Sequence, residues 1–202
     1  PGIKTYVELT TEGRLSGIEV ENIMSYETLL AEQSESYDWP EISEKTASSL
    51  CYTSGTTGNP KGVLYSHRST VLHSYAVSLP DSACLSALDS ILAIVPMFHV
   101  NAWGYPYAGF MVGAKLVFPG PKLGDASTLV DLINDDDVTL AGGVPTVWTS
   151  LLHYLKESGR NLGKMNRTIV GGSACPLSMI EELRDKYGVQ VLHGWGMTET
   201  SP

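Results

Sequence analysis

Residues 52–63 read YTSGTTGNPKGV, a stretch with more small polar residues than a packed core requires. Glycine permits positive φ angles and close backbone approach, hydroxyls and free backbone amides bind oxyanions, and Lys61 adds a positive charge. This composition predicts a phosphate-binding loop. Strand-like residues 49–52 precede the loop and helix-like residues 66–79 follow it. We therefore expect the loop to lie between a strand and a helix, where α/β sheets bind ligands.

Two other kinds of loop have a similar composition. The P-loop of nucleoside triphosphatases is excluded, because its motif G-x-x-x-x-G-K-[ST] requires glycine before the lysine and a hydroxyl residue after it. Here Pro60 precedes Lys61 and Gly62 follows it. An ordinary surface loop without a ligand stays open from composition alone, since clusters of Gly, Ser and Thr are common in such loops.

The composition indicates a globular protein of one or two domains. Of the 202 residues, 43% are hydrophobic, and no run approaches the ~18 uncharged apolar residues of a membrane-spanning helix. The N-terminus lacks the pattern of a secretory signal. The three cysteines Cys51, Cys84 and Cys175 are widely spaced, so neither a disulfide framework nor a zinc site is indicated. We predict a soluble cytoplasmic protein without an integral membrane segment.

The negative charge is concentrated in the first 47 residues. The net charge of the chain is −9, and residues 1–47 contain ten acidic and three basic residues. Because nucleic-acid affinity comes from clustered Lys and Arg, nucleic acid is not an expected partner. We predict that residues 1–47 form an acidic connecting or edge segment, and that residues 48–202 form the ligand-binding α/β unit.

The pattern after the loop predicts an α/β fold, with a mostly parallel sheet flanked by helices. Short apolar runs alternate with helical segments, as they do in βαβ units. The predicted strands are 90–95, 114–118, 138–141, 168–170 and 189–192. The predicted helices lie near 101–112, 125–134, 145–157 and 176–187.

Three further clusters fall where predicted strands end, the edge at which such sheets bind ligands. In PMFHVNAW (96–103), His99 and Trp103 would share one face of a helix. In VGGSACP (170–176), small residues would bring the backbone close to a flat ligand. In GWGMTETSP (194–202), Trp195 suits stacking on a planar base, and Glu199 suits Mg²⁺.

Structural roles for these clusters stay open from the residues alone. His99 and Trp103 could be core residues, and Glu199 could be a surface charge. The glycines of VGGSACP, like those of GGVP at 142–145, could belong to ordinary turns between strands and helices. Cys175 has no adjacent base and no G-x-S-x-G frame, so it is not a candidate nucleophile.

Together these motifs resemble those of the acyl-adenylate-forming enzymes, most closely the fatty-acyl-CoA synthetases of medium to long chain specificity. The resemblance covers about residue 48 to the end of the chain and implies part of the large N-terminal domain of such an enzyme. It implies that ATP and a fatty acid form acyl-AMP and pyrophosphate, and that coenzyme A then takes the acyl group. The motifs that carry it, in the order of that family, are YTSGTTGNPKGV, YSHRS, VPMFHVNAW, GGVPTVW, VGGSACP and GWGMTETSP.

The resemblance also implies roles for individual residues. Trp103 would be a gate to the acyl pocket, Trp195 would stack on adenine, and Glu199 would hold Mg²⁺. The loop on the pyrophosphate side would comprise Thr53, Ser54, Gly55, Thr56, Thr57, Gly58 and Lys61. The other nucleotide contacts would come from Gly172, Ser173, Ala174, Gly194, Trp195, Gly196, Met197 and Thr198. The catalytic residues would be Lys61, His99, Thr198 and Glu199.

The sequence departs from this family in its extent. It stops before the motif with the ribose-binding aspartate, before the hinge and before the C-terminal lid domain, and it lacks the N-terminal portion. We therefore expect a central piece of a longer enzyme that is inactive by itself. Two other interpretations are an aryl- or short-chain-acid CoA ligase and a nucleotide-binding remnant without activity. The acyl chain length stays open, and a homodimer is compatible with the resemblance.

Overall fold

The chain divides into two compact units, Pro1–Ile42 and Ser43–Pro202. A computed structural model describes residues 3–10, 21–53 and 58–201. The division falls before the 47/48 boundary expected from the charge distribution. Two contacts explain the difference: the backbone oxygen of Thr46 accepts a hydrogen bond from His67, and Glu44 pairs with Arg68 at 2.5 Å. Residues just before 47 are thereby attached to the second unit.

The first unit contains a two-stranded sheet and one short helix. Strand β1 (Tyr6–Glu8) pairs in parallel with strand β2 (Ile23–Ser25), and helix α1 (Tyr26–Ala31) follows directly. Ser25 caps this helix, because its hydroxyl oxygen accepts a hydrogen bond from the backbone amide of Thr28 at 3.1 Å. This unit contributes none of the residues predicted to bind ligands.

In the second unit, a hairpin carries the predicted phosphate-binding loop. Strand β3 (Ala47–Tyr52) pairs antiparallel with strand β4 (Gly62–Ser66), and helix α2 (His67–Ser78) begins only after β4. The expectation of a loop between a strand and a helix is therefore wrong. At the base of the loop, the Thr53 amide donates to the backbone oxygen of Lys61 at 2.9 Å. The loop is thus the turn of a hairpin whose two strands meet at its base.

The rest of the second unit is a parallel sheet flanked by helices, which confirms the predicted fold class. The strand order is β6-β5-β7-β8-β9, and all neighbours are parallel. The strands are β5 (Ser90–Ala93), β6 (Lys115–Val117), β7 (Leu140–Gly143), β8 (Arg167–Val170) and β9 (Gln190–His193). The helices are α3 (Val100–Trp103), α4 (Tyr105–Val112), α5 (Ala126–Asp135), α6 (Pro145–Ser158) and α7 (Leu177–Tyr187). In the described part of the chain, no helix is both long and apolar enough to cross a membrane.

One hydrophobic core lies on each face of this sheet. Along β5, Ile91 packs with residues of α2 and α4, whereas the next residue, Leu92, packs with residues of α5, α6 and α7. Leu140 and Ala141 of β7 divide between the two cores in the same way. Successive side chains of a strand point to opposite faces, so the sheet forms the middle of three layers. Its strands present their carboxyl ends along one edge.

A buried ion pair lies at the opposite edge of the sheet. Asp89, directly before β5, pairs with Arg167 of β8 at 2.7 Å. The same carboxylate accepts hydrogen bonds from the Thr139 hydroxyl at 2.6 Å and the Ser86 amide at 2.8 Å. Burial by itself would raise the pKa of Asp89, but the hydrogen bonds from Thr139 and Arg167 outweigh it and hold this pKa below the usual value. The pair joins two strands that are not neighbours in the sheet.

Candidate functional site

A cavity of about 500 Å³ lies beside the carboxyl ends of β8 and β9. Gly171 follows β8 directly, Gly194 follows β9 directly, and both residues line the cavity. Val77 of α2 and Ile169 of β8 supply apolar surface, while His99 supplies a polar ring. Small-molecule sites usually measure about 300–1,000 Å³ and combine apolar walls with a few polar groups. The cavity therefore has the size and chemistry of a ligand-binding site.

The cavity gathers most of the residues predicted from three separate motifs. From the predicted set, the lining includes His99, Trp103, Gly172, Gly194, Trp195, Gly196, Met197 and Thr198. Ser173, Ala174 and Glu199 are exposed and do not belong to the lining. Because sites in parallel sheets form where several strands end, this convergence agrees with the location predicted for a ligand.

The hairpin loop is described only in part. Thr53 is half-buried at its base, and Gly58 and Lys61 are exposed. The amide of Lys61 donates to the Thr53 hydroxyl at 3.3 Å, a second bond across the base. The predicted phosphate contacts Ser54, Gly55, Thr56 and Thr57 lie outside the described residues.

The segment α3, which carries Trp103, is a single left-handed turn. The φ angles of Val100, Asn101, Ala102 and Trp103 are 49°, 50°, 52° and 55°. Gly104 separates this turn from α4, so the predicted helix near 101–112 is two elements. The expectation that His99 and Trp103 share a face of one regular helix is wrong, although both residues do line the cavity.

The left-handed turn depends on tertiary contacts. Each L-residue in this conformation costs about 1–2 kcal/mol, because its Cβ crowds the following carbonyl oxygen. Val100 is buried against Cys51 and Tyr65 of the hairpin, and Ala102 is fully buried. Burial of these two side chains offsets part of the cost, so the shape of the turn follows from the fold around it and not from local preference.

Tyr65 connects the hairpin to the segment that follows β9. Its hydroxyl donates a hydrogen bond to the backbone oxygen of Thr198 at 2.5 Å. Burial, with smaller contributions from Cys51 and the Glu199 carboxylate, raises the pKa of Tyr65 to about 12. The phenol therefore stays protonated at neutral pH and keeps donating.

Two glycines are needed because aromatic rings pack against them. A Cβ atom on Gly171 would lie 3.2 Å from the edge of the Trp103 ring and 3.2 Å from the backbone oxygen of Gly194. A Cβ on Gly142 would overlap the hydroxyl of the fully buried Tyr105. Gly142 therefore has a packing role inside β7, which is neither the ligand contact nor the turn between a strand and a helix that the sequence leaves open for the glycines of GGVP.

Cys175 does not have the surroundings of a reactive thiol. It is half-buried, and burial raises the pKa of its thiol above the ordinary value. Its backbone amide donates a hydrogen bond to the ring nitrogen Nε2 of His193 at 3.3 Å, so this nitrogen is occupied by the backbone amide and not by the thiol. A thiol with a raised pKa has little thiolate at neutral pH, and the thiolate is the nucleophilic form.

Comparison with known families identifies one match that covers almost the whole chain. A sequence model described as AMP-binding enzyme matches residues 8–202. A medium-chain-fatty-acid–CoA ligase of Ectopseudomonas oleovorans is 54% identical over 202 residues, which is 100% of this chain and 37% of the relative. A 3-methylmercaptopropionyl-CoA ligase of Ruegeria pomeroyi is 55% identical over 183 residues, or 91% of this chain and 34% of the relative.

The fold also matches a solved structure. The o-succinylbenzoate coenzyme A synthetase of Bacillus subtilis, solved in complex with ATP and magnesium ion, superimposes with a TM-score of 0.75 at 27% identity. The match covers 90% of this chain and 37% of the synthetase. The chain thus spans about a third of the length of the curated relatives and of the solved protein that it matches.

Proposed function

Because the chain belongs to the AMP-binding enzyme family, we propose that it is the nucleotide-binding part of an AMP-forming acid–CoA ligase for medium- or long-chain fatty acids. We further propose that it lies in the large N-terminal domain of a longer enzyme, since its relatives are about three times its length. The observation that carries the proposal is the cavity, where His99, Thr198 and glycine-rich backbone converge at the edge of the sheet.

The proposed reaction has two parts. In the first, a carboxylate oxygen of the fatty acid attacks the α-phosphorus of ATP, and pyrophosphate leaves. In the second, the thiol sulfur of coenzyme A attacks the acyl carbon, and AMP leaves. Charge on the phosphate oxygens must be stabilised in the first transition state. Thr198 and Lys61 are proposed to supply a hydroxyl and a positive charge there, with His99 beside the carboxylate.

Glu199 is proposed to hold Mg²⁺ together with the phosphates of ATP. The described residues contain no cluster of three or more side chains that could hold a metal ion. Mg²⁺ often uses only one or two carboxylates, with substrate phosphates and water completing its coordination. The exposed carboxylate of Glu199, next to the cavity-lining Thr198, fits this arrangement. When bound, the ion would neutralise negative charge on the phosphates of ATP during transfer of the adenylyl group.

The adenine and acyl contacts are proposed from the cavity lining. Trp195 is 80% exposed, which leaves the face of its ring free to stack on adenine. Val77 and Ile169 offer apolar surface to an acyl chain, and Trp103 is proposed as the gate to that surface. Roles for Ser173 and Ala174 at the nucleotide, a cytoplasmic location and a homodimer stay predictions.

A ligase for short-chain acids is the second candidate. One observation favours it: the relative that is named for 3-methylmercaptopropionyl-CoA is as similar to this chain as the one named for medium-chain fatty acids. The apolar surface of Val77 and Ile169 supports either proposal, because a short acid would need only part of it. Chain length therefore decides between the two candidates.

A panel of acids tests both candidates in the full-length enzyme. Release of pyrophosphate and formation of the CoA thioester are measured for acids of about two to eighteen carbons, because the apolar area that the acid can bury grows with each added methylene group. We expect kcat/KM to rise with chain length and to peak at medium or long chains. A peak at the shortest acids would favour the second candidate. ATP binding without pyrophosphate release for any acid would identify a remnant without activity.

Replacing Cys175 by serine is expected to leave thioester formation within roughly twofold of the wild type. The reaction proceeds through acyl-AMP, and the raised pKa of this thiol disfavours an enzyme thiolate. The measurement is the rate of thioester formation at saturating ATP, with the melting temperature recorded beside it. Loss of thioester formation in a folded variant that still releases pyrophosphate would indicate a covalent acyl-enzyme instead.

A further inference from the structure

Asn101 attaches the left-handed turn to the hairpin. Its side-chain nitrogen Nδ2 donates to the Ser49 hydroxyl at 2.9 Å, and the Cys51 thiol donates to its Oδ1 at 3.5 Å. Ser49 and Cys51 both belong to β3, the strand that leads into the predicted phosphate-binding loop. Both ends of the amide are therefore occupied by neighbours on a strand about fifty positions earlier in the chain.

Asn101 also suits the handedness of the turn. Asparagine is one of the few residues other than glycine that adopts positive φ routinely. The neighbours Val100, Ala102 and Trp103 have no such tolerance, yet all three have φ near 50°. At the end of the turn, His73 Nε2 donates to the backbone oxygen of Trp103 at 3.1 Å. Asn101 is linked to β3, and the backbone of Trp103 is linked to His73 of α2. A change at residue 101 from the left-handed to the right-handed conformation would alter the path of the backbone between these two links and so move the Trp103 ring.

The position of this ring defines one wall of the cavity. Trp103 lines the cavity and lies against Gly171 at the end of β8, and His99 lines it directly before the turn begins. Neither residue hydrogen-bonds the hairpin through its own side chain among the described residues, whereas Asn101 does. The amide of Asn101 is thus the polar link between the hairpin and the cavity wall on this side.

We propose that Asn101 is a positioning residue for the carboxylic acid: it holds residues 100–103 in the left-handed conformation and thereby keeps Trp103 and His99 at the cavity. This inference rests on the proposed function, because it assigns the acid to that wall. Asn101 itself does not line the cavity. Its effect on the reaction is therefore exerted through the two residues that do.

Two substitutions at residue 101 separate handedness from packing in the full-length enzyme. Asn101→Ala removes the amide and disfavours positive φ, whereas Asn101→Gly removes the amide but takes positive φ freely. We expect Asn101→Ala to lower kcat/KM for the acid about 10- to 100-fold, the range that misplacement by about an ångström produces. Asn101→Gly should be milder. The KM for ATP should change less than roughly threefold in both variants, because the pairing of β3 with β4, which carries the predicted phosphate-binding loop, is unchanged.

A second measurement does not require ligase activity. Ser49→Ala, Asn101→Ala and the double variant form a cycle in which urea midpoints report stability. We expect the two changes to be non-additive, because each removes the same hydrogen bond, and we expect Asn101→Gly to have a higher midpoint than Asn101→Ala. A wild-type enzyme without pyrophosphate release would overturn the proposed function while leaving this cycle interpretable.

Three results would overturn the assignment of Asn101. The first is additive stability changes in the cycle, which would remove the link to Ser49. The second is a kcat/KM for the acid that falls as much in Asn101→Gly as in Asn101→Ala, which would show that the left-handed conformation at residue 101 does not affect the reaction. The third is a KM for ATP that rises as much as the KM for the acid, which would make Asn101 a support of the hairpin loop alone.

Discussion

Replacing Glu199 by glutamine is expected to lower acyl-adenylate formation by about 100-fold or more, because in its proposed role as a metal ligand Glu199 would supply several kcal/mol of charge stabilisation at phosphorus. The side chains have nearly the same volume, and Glu199 is exposed, so folding should change little. The measurement is pyrophosphate release in the full-length enzyme at several Mg²⁺ concentrations. Partial recovery at high Mg²⁺ is expected if the loss lies in metal binding.

The control for this experiment is Glu181→Gln. Glu181 is also an exposed glutamate, but it lies on α7, outside the cavity lining. Pyrophosphate release should be unchanged in this variant, since only a distant surface charge is removed. Full activity in a folded Glu199→Gln variant would refute the proposed metal ligand.

Replacing Asp89 by asparagine is expected to reduce the free energy of unfolding by about 3–5 kcal/mol, the usual cost of breaking a buried ion pair. The substitution leaves the positive charge of Arg167 in a site where its side chain is only 13% exposed. It also weakens the acceptor of the Thr139 hydroxyl and the Ser86 amide. The measurement is the midpoint of urea or thermal unfolding at neutral pH.

The stability difference between wild type and the Asp89→Asn variant should depend on pH. The pKa of Asp89 is lower in the folded protein than the usual value of about 3.9. Its contribution is therefore fully present above about pH 4 and is lost as the pH falls through the folded pKa. The two unfolding midpoints should approach each other in that acidic range and stay apart from pH 5 upward, as an approximate window.

Asp185→Asn is the matched control for the buried pair. Asp185 pairs with its neighbour Arg184 at 2.6 Å, but both side chains are at least 60% exposed. Exposed pairs contribute less than about 1 kcal/mol, so this variant should unfold almost as the wild type does. Equal reductions of the free energy of unfolding in the two aspartate variants would show that the buried Asp89 pair stabilises the fold no more than an exposed pair does.

The regular α/β part could be predicted from the sequence because local patterns determine it. Apolar runs and helix signals placed α7 at 176–187 and β8 at 168–170, within one residue of the observed Leu177–Tyr187 and Arg167–Val170. Pro145 at the first position of α6 and Gly188 after α7 are local signals of the same kind. In such elements the local pattern of apolar residues and end signals already favours the observed helix or strand, and tertiary contacts favour the same conformation.

Strand β4 and the left-handed turn could not be predicted, because contacts made elsewhere determine them. Gly62–Ser66 is short, and its strand conformation comes from pairing with β3. In Val100–Trp103 the local preference favours the opposite hand, and contacts with the hairpin together with the hydrogen bond from His73 of α2 override it. Asn101 followed by Gly104 was the available signal, since both residue types tolerate positive φ.

The cavity could be predicted only in part. Glycines and aromatic residues at strand ends indicated Trp103, Gly172 and Trp195, because such residues concentrate where ligands approach the backbone. His73 and Tyr105 also line the cavity, but they lie on helices with no local motif. Their position follows from how α2 and α4 pack on the sheet, which periodicity does not encode.

The packing of Tyr105 against Gly142 restricts how this protein can diverge. A side chain at 142 would occupy the volume of the Tyr105 hydroxyl, and this hydroxyl is buried without a hydrogen-bond partner in the described structure. A larger residue at position 142 is therefore tolerated only if the residue at position 105 has already become smaller, so the effect of a substitution at 142 depends on the residue at 105. The two positions are epistatic, and a homologue that has lost the glycine should have accepted its smaller residue at 105 first.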